Sequence, residues 1–312
     1  MKNITVSVIM TTYKHEDYIE SAINGILMQV CNFNFELIIA DDHSPDATQE
    51  IVQKIIKKHP KGYLIKYQRH KKNKGLISNF KWCLEQSNAK YIALCEGDDY
   101  WISSDKLQKQ INVLDKNPDI NICSHPSLCL YGTTIKNIGY GFHGKRSRII
   151  RADKVIKNYA STAPFQSIVF RRGQIDEFSS LTDGLLGVHS TVQIFYAIPN
   201  GLYYLSEIMS VYRVESSSSI SKELFKSDDK YLARQFQNWC GLDKLNRASN
   251  FKFDKEFKCS KKYRALDILQ TGKLKPYEIY KIIVKLNLYF LPFRLFKSLV
   301  INTILKLKRK IV

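Results

Sequence analysis

"YIALCEGDDYW", residues 91–101, begins as an apolar run and ends in three carboxylates gathered around one glycine. Tyr91 to Cys95 reads as a short strand buried on both faces. The residues that follow deliver Glu96, Asp98 and Asp99 to a single spot. Carboxylates that close together repel, each raising the others' pKa, unless something positive sits among them. The candidates are a divalent cation, a basic side chain or open water. A hard cation such as Mg²⁺ or Mn²⁺ takes oxygen ligands and commonly shares its shell between one or two carboxylates and substrate phosphates. An acidic turn paired with neighbouring lysines is the plainer alternative.

Strands and helices alternate on the N-terminal side of this stretch. "TVSVIM" (5–10) is a β-branched run, and in the segment after it Tyr18, Ile19, Ala22, Ile23, Ile26 and Leu27 recur at helical spacing. "FELIIA" (35–40) predicts a second strand, ending at Asp41 and Asp42. "SPDATQEIVQKIIKKH" predicts a helix with Ser44 as cap and Pro45 in its first turn. A strand over 63–68 and a helix over 77–87 complete the approach to residue 91, and "KLQKQINVLDKNP" (106–118) predicts a helix beyond it. Such alternation with short links implies a mostly parallel sheet sandwiched by helices. Ligands collect at the carboxyl ends of strands in such sheets, where Thr11 to Tyr13, Asp41 to Asp42 and Glu96 to Asp99 all fall. Residues 119–221 are mixed, with strand-like "NICSHPSLCLY", "SIVF" and "GLYYL".

The 312-residue chain is 44% apolar and 25% charged, an ordinary globular composition, but its formal net charge is +19. From Lys222 onward 22 Lys and Arg face 8 Asp and Glu, so the excess gathers at the C-terminal end. Large apolar residues interleave with Lys and Arg from residue 277 on, a pattern that fits helices lying on an anionic membrane surface. A buried helical cap with a solvated basic face is the alternative. No nucleic-acid recognition motif accompanies the charge, so no nucleic-acid partner is expected. Seven scattered cysteines without a CxxC pair suit a reducing cytoplasm. Neither a signal peptide nor a stretch of about 18 apolar residues is found, so we expect no membrane span.

Taken in order, "VSVIMTTY", "FELIIADDHSPDAT", "NKGLISNF", "KYIALCEGDDYW" with "KLQKQINVL", and "SEIMSVYRV" resemble a family 2 glycosyltransferase of the GT-A fold. The resemblance covers most of residues 4–221. It implies an α/β, Rossmann-like fold: a nucleotide-sugar-binding subdomain over 1–125, an acceptor-binding subdomain over 126–221, and a basic helical extension over 222–312. It further implies that Thr11, Thr12 and Tyr13 cradle the nucleotide base, that Asp41 reads the uracil edge with Asp42 beside it, and that Asn73 and Gly75 border the nucleotide. Asp41 and Asp42 have a simpler reading as helix caps. Asp98 would contact the ribose and support the metal, Asp99 would ligate it, and Glu96 replaces the family's more usual Asp. Arg213 is expected to face the diphosphate, because a guanidinium matches phosphate oxygens bidentately.

The pattern departs from the family at the general base. An Asp usually stands some twenty residues ahead of an "MSVYR"-like strand, and here that count lands on His189, with Asp183 the nearest upstream acid. Two residues after "YR", where His is frequent, stands Glu215. One reading is an exchange in which His189 and Glu215 jointly form the base, since imidazole is competent near neutral pH. The rivals are Asp183 as base, a structural His189, or an enzyme that has lost activity.

The implied activity is a metal-dependent inverting transfer of a hexose from a nucleotide sugar, a UDP-sugar first, to a lipid-linked or surface-polysaccharide acceptor such as O-antigen or capsule. The expected place is the cytoplasmic face of the cell membrane. A nucleotidyltransferase would want a Gly-rich phosphate loop that is not seen after the first strand. A non-catalytic glycan- or nucleotide-binding subunit of the same fold is the third reading.

Overall fold

The computed structural model describes residues 3–158, 162–182, 187–214 and 228–270. Asp183, Glu215 and the basic segment beyond residue 270 therefore lie outside the described residues. The chain forms two compact units, Met1–Lys222 and Glu223–Val312.

The first unit is built on an eight-stranded sheet. Its leading strands are β1 (Ile4–Thr12), β2 (Asn34–Asp41), β3 (Ile65–Arg69) and β4 (Tyr91–Leu94), which lie in the order β3-β2-β1-β4 and are parallel throughout. Alternation along them divides the side chains between two faces. Val6, Val8 and Met10, Phe35, Leu37 and Ile39, and Tyr91, Ala93 and Cys95 belong to one apolar cluster. That cluster is completed by Ile19, Ile23 and Ile26 of α1 (Ile19–Leu27), Val52 and Ile55 of α2 (Thr48–Lys58), and Leu107, Ile111 and Leu114 of α4 (Lys106–Lys116). α3 (Leu76–Gln86) packs against β1 and β2, and its Cys83 sulfur reaches the Met10 carbonyl. Each fully buried aliphatic side chain contributes about 1.5–3 kcal/mol, so both faces anchor the strand ends firmly.

Two expected elements are corrected. The second helix starts at Thr48, and Ser44 does not cap it. The Asp46 carboxylate instead accepts the Thr48 N–H at 3.2 Å and its hydroxyl at 2.7 Å, while the Ser44 N–H donates to Asp41 at 2.7 Å. The stretch "NICSHPSLCLY" is two strands in different sheets, β6 (Ile122–Ser124) and β7 (Ser127–Tyr131), because His125-Pro126 interrupts the ladder.

β6 continues the large sheet together with β9 (Arg148–Ile150), β10 (Val169–Arg171) and β11 (Leu202–Tyr204), in the order β4-β10-β6-β11-β9. β10 enters antiparallel between β4 and β6. Behind it, Phe170 and Tyr196 lie 4.2 Å apart, and Phe178 sits 5.5 Å from Tyr196. Phe178 belongs to α6 (Ile175–Leu181) and Tyr196 to α7 (His189–Ala197), while α5 (Ala152–Asn158) packs on α7. A second sheet orders β5 (Tyr100–Trp101), β12 (Ser210–Val214), β7 and β8 (Thr134–Tyr140). Because β5 directly follows the acidic turn, the second sheet holds that turn from the side opposite β4.

The described part of the second unit is a helical pair, α8 (Asp228–Ala248) and α9 (Asp254–Gln270), which buries Trp239, Leu242, Leu245, Phe257 and Ala265. Lys261 ties the pair to Asp243 at 2.5 Å with its ammonium 5.3 Å from the Trp239 ring. No helix among the described residues is long and apolar enough to cross a membrane.

Candidate active site

The strand ends are drawn together by hydrogen bonds that run on past the ladders. The Gly97 N–H donates to the Thr11 carbonyl at 3.1 Å, Asp42 N–H to Thr12 at 2.9 Å, and His70 N–H to Asp41 at 2.9 Å. Three loops thus meet at one carboxyl edge. Two residues at this edge, Lys14 at φ 60° and His43 at φ 65°, take the left-handed conformation that side chains avoid.

Glu96 to Asp99 form a turn in which the Asp99 N–H donates back to the Glu96 carbonyl at 3.2 Å. Ligand atoms of Glu96, Asp98 and Asp99 all lie within 4.8 Å of one another. Asp99 is 1% exposed. Burial, and then the charges of Asp98 and Glu96, push its carboxyl well above the usual carboxylate range, against a lowering by the backbone N–H of Arg213. A hard divalent cation relieves that repulsion and finds only oxygen donors, so the donor set fits Mg²⁺ or Mn²⁺. Gly97 has a packing reason to be glycine. A Cβ there would stand 2.6 Å from His15 Nδ1 and 2.8 Å from Thr12 Oγ1.

His15 is a site residue that sequence reasoning passes over. It is 8% exposed, lies 3.1 Å from the Thr12 hydroxyl, and points Nε2 to within 4.0 Å of Asp98. Burial lowers its pKa despite the nearby Asp98. The only local signal is a histidine three residues beyond Thr12, whose carboxylate partner is far along the chain.

Thr11 and Thr12 are buried at the end of β1, whereas Tyr13 is 37% exposed with the Lys14 ammonium 5.3 Å from its ring. Asp41 is fully buried, its oxygens accepting the Ser44 N–H and, at 2.7 Å, the Tyr67 hydroxyl. Asp42 accepts the N–H groups of Lys74 at 2.6 Å and Gly75 at 2.9 Å, and Asn73 donates to its carbonyl at 3.1 Å. Asp42 therefore holds the loop that enters α3 and does not cap the helix that follows it in sequence. Gly75, at φ 84°, supplies the backbone turn into α3.

Arg213 lies beside the acidic turn. Its guanidinium donates to the Asp98 carbonyl and to Ser21 Oγ, and rests 4.5 Å from the Tyr100 ring and 5.1 Å from Tyr18. Sequence spacing assigns this group to a diphosphate; the structure engages it with the protein itself.

His189 opens α7. Its Nε2 lies 2.7 Å from the Ala163 carbonyl and donates its proton to that oxygen. The Tyr140 ring lies 6.4 Å from His189 and 5.5 Å from Tyr212, centroid to centroid. Burial first, and then Asp99 with Glu96, raise the pKa of Tyr212; burial and Asp99 do the same for Tyr140, so both phenols stay neutral donors. Spacing brings out neither tyrosine, because the β12 and β8 positions look like ordinary strand residues.

Comparison with known proteins agrees with this architecture. Residues 7–177 match the family described as Glycosyl transferase family 2, and the chain belongs to that family. An uncharacterized protein of Mycobacterium tuberculosis is 31% identical over 208 residues, 67% of this chain and 58% of that protein. This chain thus spans 58% of the length of that curated relative. The putative teichuronic acid biosynthesis glycosyltransferase TuaG of Bacillus subtilis is 33% identical over 109 residues, covering 35% of this chain and 41% of its own. Among solved structures, TarS 1–349 of S. aureus superposes with a TM-score of 0.63 at 17% identity, over 88% of this chain and 77% of that one. At that identity the likeness shows the GT-A fold alone.

Proposed function

We propose that the protein is a metal-dependent inverting glycosyltransferase that moves a hexose from a nucleotide sugar, most directly a UDP-sugar, onto a lipid-linked or surface-polysaccharide acceptor. The observation that carries this is the convergence of three carboxylates, one of them fully buried, at the carboxyl edge of a parallel sheet. Family membership, the UDP and UDP-GlcNAc complexes of TarS, and the teichuronic acid role in TuaG's name support the donor and acceptor classes.

Glu96, Asp98 and Asp99 would hold Mn²⁺ or Mg²⁺, which when bound neutralises charge on the departing diphosphate. Tyr13 offers a face to the nucleotide base beside Thr11 and Thr12. Asp41, Asp42, Asn73 and Gly75 shape the loop that borders it. The acceptor hydroxyl attacks C1 of the sugar, the bond from C1 to the diphosphate oxygen breaks, and the hydroxyl proton passes to the base, for which His189 is the first candidate. Glu215 or Asp183 is the candidate to assist or replace His189. A position at the cytoplasmic membrane surface, held by the basic C-terminal region, suits such an acceptor.

The test is to incubate the protein and Mn²⁺ with UDP-, GDP- and dTDP-sugars and a lipid-linked glycan fraction, and to analyse the released nucleotide. Free nucleoside diphosphate supports the reading. Pyrophosphate release, or consumption of no donor, overturns it.

A further inference from the structure

We infer that Arg213 is a positioning residue that presets the Glu96–Asp99 turn for a divalent cation, by tying the turn to α1 and β12. Four observations converge on one residue, three of them on its side chain. The Arg213 backbone N–H donates to Asp99 Oδ1 at 2.9 Å, which fixes the rotamer of the most buried carboxylate. One guanidinium nitrogen donates to the carbonyl of Asp98, fixing the turn's backbone. The other donates to Ser21 Oγ at 2.8 Å, and Ser21 in turn donates to the Tyr18 carbonyl at 2.7 Å, at the start of α1. Tyr100 and Tyr18 hold the guanidinium plane at 4.5 Å and 5.1 Å.

Each element joined in this way has its own rigid support. β12 pairs with β5 through Val211 opposite Tyr100, and Gly25 of α1 meets the Trp101 backbone so closely that a Cβ would come within 2.7 Å of its carbonyl oxygen. The guanidinium thus sits where the two sheets and α1 meet, with a fixed positive charge beside three carboxylates that repel one another. Such a charge offsets the repulsion among the acids before a cation arrives, while its hydrogen bonds go to the Asp98 carbonyl and Ser21 and leave the carboxylate oxygens to the cation. The fork geometry is specific: a lysine ammonium is a compact point charge on a flexible stem and lacks the planar pair of nitrogens that here serve the Asp98 carbonyl and Ser21 separately. Supports of this kind behind metal ligands typically change affinity by roughly 10–100-fold when removed.

This inference rests on the proposed cation site, and the test separates the two. Free Mn²⁺ is measured by electron paramagnetic resonance during titration of the full chain, with no donor present, for the unaltered protein, Asp99→Ala, Arg213→Ala, Arg213→Lys and Ser21→Ala. Circular dichroism first establishes that each variant is folded. The expected result is loss of uptake in Asp99→Ala, a Kd for Mn²⁺ raised roughly 10–100-fold in Arg213→Ala, little recovery in Arg213→Lys, and a smaller rise in Ser21→Ala. A purely structural role lowers Tm and leaves the Kd alone. Uptake by Arg213→Ala equal to the unaltered protein, with Asp99→Ala deficient, overturns the role of Arg213 and leaves the cation site standing. Should Arg213→Ala not fold, an unchanged Kd in Ser21→Ala overturns it instead. No uptake by the unaltered chain overturns the cation site and this inference together.

Discussion

Replacing Asp99 with asparagine should stabilise the cation-free protein while removing its activity. Asp99 is buried, and its oxygens lie within 4.8 Å of those of Glu96 and Asp98. Two unit charges at that separation repel by about 3.5 kcal/mol at an effective dielectric constant of about 20. Two such pairs end on Asp99. Arg213, with its N–H donated to Asp99, offsets part of the sum, and the raised pKa of Asp99 lets proton uptake relieve more of it. A net penalty of about 2 kcal/mol in the cation-free protein is the scale expected. The amide introduced by Asp99→Asn keeps an oxygen for the Arg213 N–H and loses the charge. The assay is thermal unfolding in excess chelator, read on the near-ultraviolet signal of the first unit. A gain of about 2 kcal/mol corresponds to a rise of about 4 °C for a domain of this size. With Mn²⁺ added the order should reverse, because only the unaltered protein gains from binding. An Asp99→Asn protein that melts at or below the unaltered one in chelator would refute the reasoning, since the charge would then be compensated from within the protein.

Three further outcomes follow from other contacts. Gly97→Ala forces a methyl against His15 and Thr12, at 2.6 Å and 2.8 Å, and should cost about 1–3 kcal/mol of stability in chemical denaturation; unchanged stability would mean that the turn moves freely. Lys106 is fully buried, its ammonium 3.9 Å from the Trp101 ring, and burial lowers its pKa to about 7. Between that value and the unfolded value near 10.4 the unfolded chain binds the extra proton, so this group adds stability as pH rises and withholds it below pH 7. From pH 7 to 9 the unaltered protein should gain about 2 kcal/mol relative to Lys106→Met, as read from paired melts across pH, and a flat difference would contradict a buried amine. Sugar transfer measured separately in His189→Ala and Asp183→Ala assigns the base: near-normal kcat in the His189 variant ends its candidacy.

Much of the first unit is legible because its signals are local and periodic. Val6, Val8 and Met10 stand two residues apart in sequence and so share one face of β1, and the acids after Cys95 sit at a strand's end by simple adjacency. Contacts that join distant segments are not legible in the same way. Asp42 has the composition of a cap for the helix after it, yet its acceptors serve Lys74 and Gly75, which no local pattern connects to it. Pro126 moves the chain from one sheet to the other inside a single strand-like stretch, read as one strand where there are two. His15 reads as an isolated histidine and Arg213 as a group for a diphosphate, and their partners at Asp98 become visible only when β1, β4 and β12 are brought together.

The central claim is that the Glu96–Asp99 turn binds a divalent cation whose remaining coordination belongs to a nucleotide diphosphate. Calorimetric titration of UDP into the full chain, once with Mn²⁺ and once with chelator, tests it most directly. The account predicts binding that depends on Mn²⁺ and disappears in Asp99→Ala; equal UDP affinity in both solutions, or retained binding in the variant, would contradict it.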